Sequence, residues 1–394
     1  MKSRKQLFLF TFLFLCSLPG CVSPEMADIN KSQSTLSGPI TSQNLTPSAS
    51  IVADSPIEPG AHNTAPSNTP PANPIQTIPA TTERKASGFE IGEEITIEYL
   101  RGLEIEGSEI TFEEELTPTA AYEQHIVSYI SEGNKNYGLL TIPTSEPPES
   151  GFKAVVFNHG YVPPAEYRTT ERYAAYVDYL AWSGFVVFKI DFRGHGDSQG
   201  EPTGSYFSPG YTIDAISALK SLQTLDFVDP QGIGMWGHSM AGNLVLRAML
   251  VEPDIKAGVI WAGAVYSYED FDKYGIDDNT YRPPEQSQNQ GGSPPRRRSS
   301  EIFDLYGRPG EGGEYWKAVS LTENIDYLNN PIQLHHAQND EVVSIGYTYN
   351  LVAVLQQNGK EYEFYNYPGG GHNISSPYFQ QAMARTVEFF RKHL

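Results

Sequence analysis

The chain has 394 residues, of which 39% are hydrophobic, and its formal net charge at pH 7 is −20. This length and composition allow one large α/β domain with additional segments. The excess of carboxylates repels polyphosphate, so we exclude nucleic acid as a partner.

The first segment predicts export from the cytoplasm. Three basic residues among the first five precede an apolar run over residues 7–18, which is shorter than the roughly 20 residues that cross a bilayer. Residues 1–20 are therefore predicted to be a signal peptide. Cys21 resembles the lipidated cysteine of bacterial lipoproteins, so we expect an extracytoplasmic chain whose one membrane contact is a lipid anchor. Pro19 is unusual at its position in that motif, and plain secretion is the alternative.

Residues 21–88 are rich in Ser, Thr, Pro and Asn and lack a periodic apolar pattern, which predicts a disordered stalk. Cys16 lies inside the predicted signal peptide. The mature chain would keep only Cys21, so no intramolecular disulfide is expected.

Residues 89–394 alternate strand and helix patterns and are predicted to form the catalytic domain. Strands are predicted at residues 94–100 and 108–113, with a hairpin from 124–130 to 137–142. Short apolar runs typical of buried strands follow at residues 154–157, 186–190, 233–236, 257–261, 332–335 and 361–365.

Helical spacing separates these runs. Helices are predicted from about residue 169 to 184, after Gly210, from the end of the 233–236 strand, and over 378–393. Such a β-α alternation predicts an α/β fold with a mostly parallel central sheet and helices on both faces.

The pentapeptide at residues 237–241, GHSMA, follows the 233–236 strand and predicts a nucleophile elbow. In such a turn a serine between small residues points its hydroxyl above the sheet, so Ser239 is the candidate nucleophile. A serine hydroxyl needs a histidine to take its proton and a carboxylate to orient that histidine. The elbow therefore predicts an acid and a histidine further along the chain.

Asp340 and His372 occur in the required order. Asp340 follows the strand at 332–335, and His372 ends a glycine-rich turn after the last strand. Asp326 and Glu341 are rival acids. Ser239, Asp340 and His372 are the predicted catalytic triad.

An oxyanion hole is predicted where the 154–157 strand runs into His159 and Gly160. Two backbone N–H groups there would stabilise the charge that develops in acyl transfer. We expect them to be those of Met240, directly after the nucleophile, and Tyr161.

The sequence predicts neither a metal nor a cofactor. His335 and His336 lie on a strand, where neighbouring side chains point to opposite faces, so we predict structural roles for both. The glycine pattern at residues 232–237 matches a dinucleotide fingerprint, but it lies within a predicted strand and not after one.

Five motifs together resemble the α/β-hydrolase superfamily and, within it, the catalytic domains of the prolyl oligopeptidase and acylaminoacyl-peptidase family. They are NHG at 158–160, DFRGHGDS at 191–198, GHSMAG at 237–242, NDEVV at 339–343 and GH at 371–372. The resemblance covers about residues 150–394 and implies a serine peptidase. Ala241 departs from the glycine that is commoner in the elbow. Residues 89–150 are too few for the propeller that many of these peptidases carry, because each blade needs about 40 residues.

Without a propeller, the selection of substrates by size cannot be transferred from the family. An ester hydrolase of the dienelactone-hydrolase or feruloyl-esterase type is therefore the main alternative, and acyl transfer or a non-catalytic binding role are others. We expect a small ester or a short peptide as the substrate. A lid-like insertion is predicted at about residues 265–315, where several aromatic residues could line the substrate pocket. The oligomeric state stays open.

Overall fold

The computed structural model describes residues 91–276 and 298–394. Within these residues, nine strands form one sheet in the order β1-β2-β3-β5-β4-β6-β7-β8-β9. The strands are β1 Thr111–Leu116, β2 Tyr122–Ser131, β3 Asn134–Pro143, β4 Phe152–Asn158, β5 Val186–Ile190, β6 Val228–His238, β7 Gly258–Trp261, β8 Ile332–Ala337 and β9 Tyr362–Tyr367.

The sheet has an antiparallel edge and a parallel body. β1, β2 and β3 pair antiparallel, and β3 also pairs antiparallel with β5. From β5 through β4 to β9 every neighbouring pair is parallel. The predicted hairpin is confirmed, and so is the mostly parallel sheet. Because parallel strands end at the same edge, the loops after β4, β6, β8 and β9 meet there.

Helices cover both faces of this sheet, as predicted. They are α1 Ile97–Arg101, α2 Ala174–Trp182, α3 Gly210–Leu222, α4 Met240–Val251, α5 Tyr268–Tyr274, α6 Arg298–Tyr306, α7 Glu314–Val319, α8 Gly346–Gln357 and α9 Phe379–His393. Residues of α2 and α9 pack with Trp236 and Trp261 in one hydrophobic cluster. Residues of α3, α4 and α8 belong to the cluster on the other face. Burial on both faces explains why the central strands are almost wholly apolar.

The predicted strand at residues 94–100 is wrong. The structure has a short 3-10 turn followed by α1 over this stretch. Thr96 caps the helix, because its hydroxyl accepts the N–H of Tyr99 at 3.2 Å. Ile97 and Leu100 are buried against the domain. Capping and one-sided burial outweigh the β-branched composition of the segment.

Several predictions concern residues outside the described part of the chain. The signal peptide at 1–20 with Cys21, and the stalk at 21–88, lie there. Of the predicted insertion at 265–315, the structure describes α5, α6 and the start of α7 but not residues 277–297. Its role as a lid therefore stays a prediction. In the described ranges, every helix is too short or too polar to cross a membrane.

Candidate active site

The junction between β6 and α4 forms a sharp elbow at Ser239. Its backbone has φ 57° and ψ −120°, a conformation that is strained for a non-glycine residue. A Cβ on Gly237 would approach the Ala241 carbonyl oxygen to 2.7 Å, and one on Gly242 would approach the Cα of Gly263 to 2.5 Å. The close backbone contacts thus fall on Gly237 and Gly242. Ala241 is fully buried beside them, so its methyl group fits into the turn.

A cavity of about 570 Å³ opens at this elbow. Ser239, Met240 and Tyr161 all line it, so the predicted nucleophile and both predicted oxyanion donors border one space. Met240 is the first residue of α4, where backbone N–H groups have no partner within the helix. An anion that forms next to Ser239 would therefore meet the positive end of this helix.

The other walls of the cavity come from two loops and α5. Tyr206 lies on the loop before α3, and Tyr274 ends α5. Arg247 of α4 is buried and stabilises the loop before α3, because it donates to the carbonyl oxygen of Ser205 at 2.7 Å. Tyr266 and Tyr268, two of the aromatic residues expected in the pocket, lie instead in the hydrophobic core.

Asp340 and His372 are hydrogen-bonded, with Asp340 Oδ2 at 2.8 Å from His372 Nδ1. The other carboxylate oxygen of Asp340 accepts the backbone N–H groups of Val342 and Val343 at 2.8 and 2.9 Å. Burial alone would raise the pKa of Asp340, but hydrogen bonds from His336, His372 and the Val343 N–H hold it well below its ordinary value. The carboxylate is therefore ionised at neutral pH.

A second chain of hydrogen bonds joins three loops of the site. The Tyr173 hydroxyl accepts the Gly160 N–H at 3.0 Å and lies 2.8 Å from His238 Nδ1. His238 Nε2 is 2.9 Å from the carbonyl oxygen of His372. Burial and the nearby His372 lower the pKa of His238 to about 3, so its ring is neutral. Its Nε2–H then donates to the His372 carbonyl oxygen, and its Nδ1 accepts a hydrogen bond from the Tyr173 hydroxyl.

These hydrogen bonds hold His372 against His238. His238 immediately precedes Ser239, and the His238 and His372 rings lie 4.5 Å apart between centroids. The same contacts explain why residue 160 is a glycine, because a Cβ there would come within 2.6 Å of the Tyr173 hydroxyl.

A further buried carboxylate holds the loop after β4. Asp191 accepts hydrogen bonds from the hydroxyl groups of Tyr167, at 2.6 Å, and Thr169. Burial raises the pKa of Asp191 to about 6, against the opposing effect of these hydrogen bonds. His159 stacks on Tyr167 with ring centroids 4.4 Å apart, and its Nδ1 lies 2.7 Å from the Gly160 carbonyl oxygen.

The rival acids have different positions. Glu341 is exposed and lines the cavity, while Asp326 lies in a 3-10 turn before β8. Sequence reasoning missed two residues of the site, Tyr173 and His336. The prediction gave His336 a purely structural role, yet its Nε2 lies 3.1 Å from Asp340 Oδ2. The spacing of four residues between His336 and Asp340 was the one available signal.

The side chains of His335 and His336 do separate to opposite faces of β8. His335 contacts Tyr367 and Gln333, whereas His336 contacts Thr348. Over the residues that the structure describes, no group of three or more His, Cys, Asp or Glu side chains has an arrangement suited to a metal ion.

A family model described as the prolyl oligopeptidase family matches residues 171–394. Human protein ABHD12B is 33% identical over 101 residues, which are 26% of this chain and 25% of that protein. Human dipeptidyl peptidase 8 is 26% identical over 250 residues, or 61% of this chain and 25% of that protein. The alignment thus spans about a quarter of the length of these two relatives.

Two solved structures illustrate the similarity of fold. Acetyl xylan esterase 1 from Thermoanaerobacterium has a TM-score of 0.53 at 17% identity, covering 78% of this chain and 97% of that one. The acylaminoacyl peptidase of Pyrococcus horikoshii has a TM-score of 0.54 at 17% identity, covering 70% of this chain and 42% of that one. The predicted α/β-hydrolase fold is confirmed.

Proposed function

Because the chain belongs to the prolyl oligopeptidase family of serine hydrolases, we propose that it cleaves short peptides or related amides through an acyl-enzyme on Ser239. The observation that carries this proposal is the strained Ser239 elbow, whose preceding residue His238 contacts the His372 of the hydrogen-bonded Asp340–His372 pair. In the resemblance to the prolyl oligopeptidase family, Ser239, Asp340 and His372 occupy the positions of the catalytic triad.

The proposed mechanism assigns one task to each residue. Ser239 Oγ attacks the carbonyl carbon while His372 takes the hydroxyl proton, and Asp340 holds the His372 ring through its Nδ1–H. The N–H groups of Met240 and Tyr161 stabilise the oxyanion, each by about 3 kcal/mol. His372 then protonates the leaving amine. Water attacks the acyl-enzyme in the same way and restores Ser239.

One feature of the cavity favours a peptide over a neutral ester. Glu341 is the charged residue among those described as lining the cavity, which Tyr161, Tyr206 and Tyr274 also line. A carboxylate beside aromatic faces suits a cationic group, because both attract positive charge. A peptide offers such a group in its terminal ammonium or in a basic side chain, whereas a simple ester does not.

A side-by-side panel of aminoacyl amides and short acyl esters tests this proposal. We expect hydrolysis of the amides with a kcat/KM at least comparable to that of the esters, and loss of both activities in Ser239→Ala. Hydrolysis of esters alone would establish the carboxylic-ester hydrolase instead. If products form only when an alcohol acceptor is added, the enzyme is an acyltransferase. A folded wild type that turns over no substrate of either class would favour a binding protein on the same scaffold.

We also propose that the enzyme is exported and tethered by lipid at Cys21, on the sequence pattern of residues 1–21. In a bacterial host that processes lipoproteins, the full chain should incorporate an alkyne fatty acid and pellet with membranes. Cys21→Ser should abolish the incorporation. Unlabelled wild-type enzyme in the medium would instead show plain secretion.

A further inference from the structure

Asp340 contacts a second histidine that the proposed mechanism does not use. His336 Nε2 lies 3.1 Å from Asp340 Oδ2, the oxygen that His372 Nδ1 approaches at 2.8 Å. The side chains of His336 and Asp340 are wholly buried, whereas that of His372 is 16% exposed. The carboxylate therefore lies between one partly exposed histidine and one wholly buried histidine.

The partners of His336 determine which ring nitrogen carries its proton. Nε2 is close to Asp340 Oδ2 and also lies 3.1 Å from the Val343 carbonyl oxygen. Both oxygens only accept hydrogen bonds, so Nε2 must carry a hydrogen. Nδ1 lies 2.7 Å from the hydroxyl of Thr348 on α8, which is able to donate to it. The ring is thus fixed at both nitrogens.

We propose that His336 is a positioning residue of the active site, which holds the Asp340 carboxylate in the orientation that His372 requires. The inference rests on the proposed function, because it has meaning only if Asp340 orients His372. Two backbone N–H groups and His372 bind the carboxylate, at Oδ1 and Oδ2 respectively, and His336 Nε2 lies 3.1 Å from Oδ2. On the interior side of Oδ2, the His336 Nε2–H adds to these bonds in opposing rotation of the carboxylate away from His372.

Two amide substitutions separate this role from a general packing role. The Nε2 atom of glutamine stands as many bonds from Cα as His336 Nε2 does, so His336→Gln keeps a donor near Asp340. His336→Asn carries its amide nitrogen at the position of Nδ1, toward Thr348, and lacks a donor near Asp340. The two variants have the same functional group and both are smaller than histidine, so they differ chiefly in where the donor lies.

We expect His336→Asn to lower kcat by about 10- to 100-fold, the range for losing a hydrogen bond to a charged group, with KM changed less than about two-fold. His336→Gln should retain most of the wild-type kcat. The low-field proton NMR signal that disappears in His372→Ala belongs to the Nδ1–H that binds Asp340. This signal should shift in His336→Asn and stay in place in His336→Gln.

Equal losses of kcat in the two variants, or a folded His336→Asn with wild-type kcat, would overturn the inference. If His336→Asn does not fold, Thr348→Val decides the question, because it removes the hydroxyl that holds Nδ1 with little change in shape. A drop in kcat of about 3- to 10-fold at constant KM supports the inference there, and an unchanged kcat refutes it. If the proposed function itself is wrong, the kinetics differ from all of these outcomes, because Ser239→Ala and Asp340→Asn would then both keep the activity.

Discussion

Two regions meet at Ser239, and they differ in burial and in hydrogen bonding. Behind the serine lies a set of residues in close polar contact, which we call the rear network: Tyr173, His238, His336, Asp340 and His372. In front lies the cavity, whose wall includes the exposed Glu341 and Val342. The rear network has its geometry fixed from several loops, whereas the cavity wall is open to solvent.

This difference separates two properties of the enzyme. In the proposed mechanism the rear network contains the groups that move protons and hold charge, and its members constrain one another through polar contacts of 2.8 to 3.1 Å. The cavity contains the groups that would select a substrate. Changes in the rear network should therefore lower kcat for every substrate, while changes in the cavity should alter the ranking of substrates.

The largest effect in the rear network, short of removing the nucleophile, is expected from Asp340→Asn. An amide in place of the carboxylate presents the wrong group to His372 Nδ1, and we expect kcat to fall by about 10⁴-fold. The loss should be the same for cationic and neutral substrates. Steady-state kinetics on both classes measures it. A fall below ten-fold would mean that another acid orients His372, and Glu341→Gln would then test the nearest rival.

The buried Asp191 carboxylate, which holds the loop after β4, should make stability depend on pH. The pKa of Asp191, raised to about 6 in the folded state, exceeds the unfolded value of about 3.9. The cost of burying its charge is complete above pH 6 and disappears as the pH falls toward 4, so the free energy of unfolding should rise by about 3 kcal/mol over this range. Asp340 behaves in the opposite way, because its lowered pKa supplies stability that is lost only below about pH 4.

Urea unfolding of wild type and Asp191→Asn at pH 4.5 and pH 7 measures the first of these effects. The wild-type minus variant difference in unfolding free energy should be larger at pH 4.5. An equal difference at both pH values would show that Asp191 has the same pKa in the folded and unfolded states.

A smaller effect is expected from Tyr173→Phe, which removes the hydroxyl between Gly160 and His238. The Gly160 N–H and His238 Nδ1 would each lose a hydrogen-bond partner, and we expect kcat/KM to fall about ten-fold. Tyr179→Phe is a matched control, because Tyr179 lies on α2 and packs against the same hydrophobic cluster as Tyr173. Equal activity of the two variants would remove Tyr173 from the rear network.

The smallest effect is expected in the cavity. Glu341→Gln should lower kcat/KM about three-fold for peptides with a basic side chain or a free terminal ammonium, and leave capped neutral peptides unchanged. The difference should shrink in high salt, because the carboxylate is exposed. Glu388→Gln, exposed on α9, serves as the control. A uniform loss over all substrates would place Glu341 with the catalytic groups.

Much of the fold could be predicted from the sequence. Local apolar runs and the GHSMA turn gave the parallel strands and the position of Ser239, because their signal lies within a few neighbouring residues. The exception at residues 94–100 shows the limit of composition. There one hydroxyl cap and the burial of one side selected a helix from residues that favour strands.

The rear network could not be predicted in the same way. Tyr173 and His238 are 65 positions apart, and only the packing of α2 against the end of β6 brings their side chains together. The His336 contact depends on which face of β8 the side chain takes and on how the following loop turns back. Such contacts arise from tertiary structure, and the four-residue spacing of His336 and Asp340 does not by itself predict the contact.

The role of Ser239 as the nucleophile is tested most directly by a fluorophosphonate probe, which reacts with an activated serine and marks its position. We predict one adduct per wild-type molecule on the peptide that contains Ser239, slower labelling in Asp340→Asn, and none in Ser239→Ala. A folded wild type that stays unlabelled, or an adduct on another residue, would contradict the assignment of Ser239 as the nucleophile.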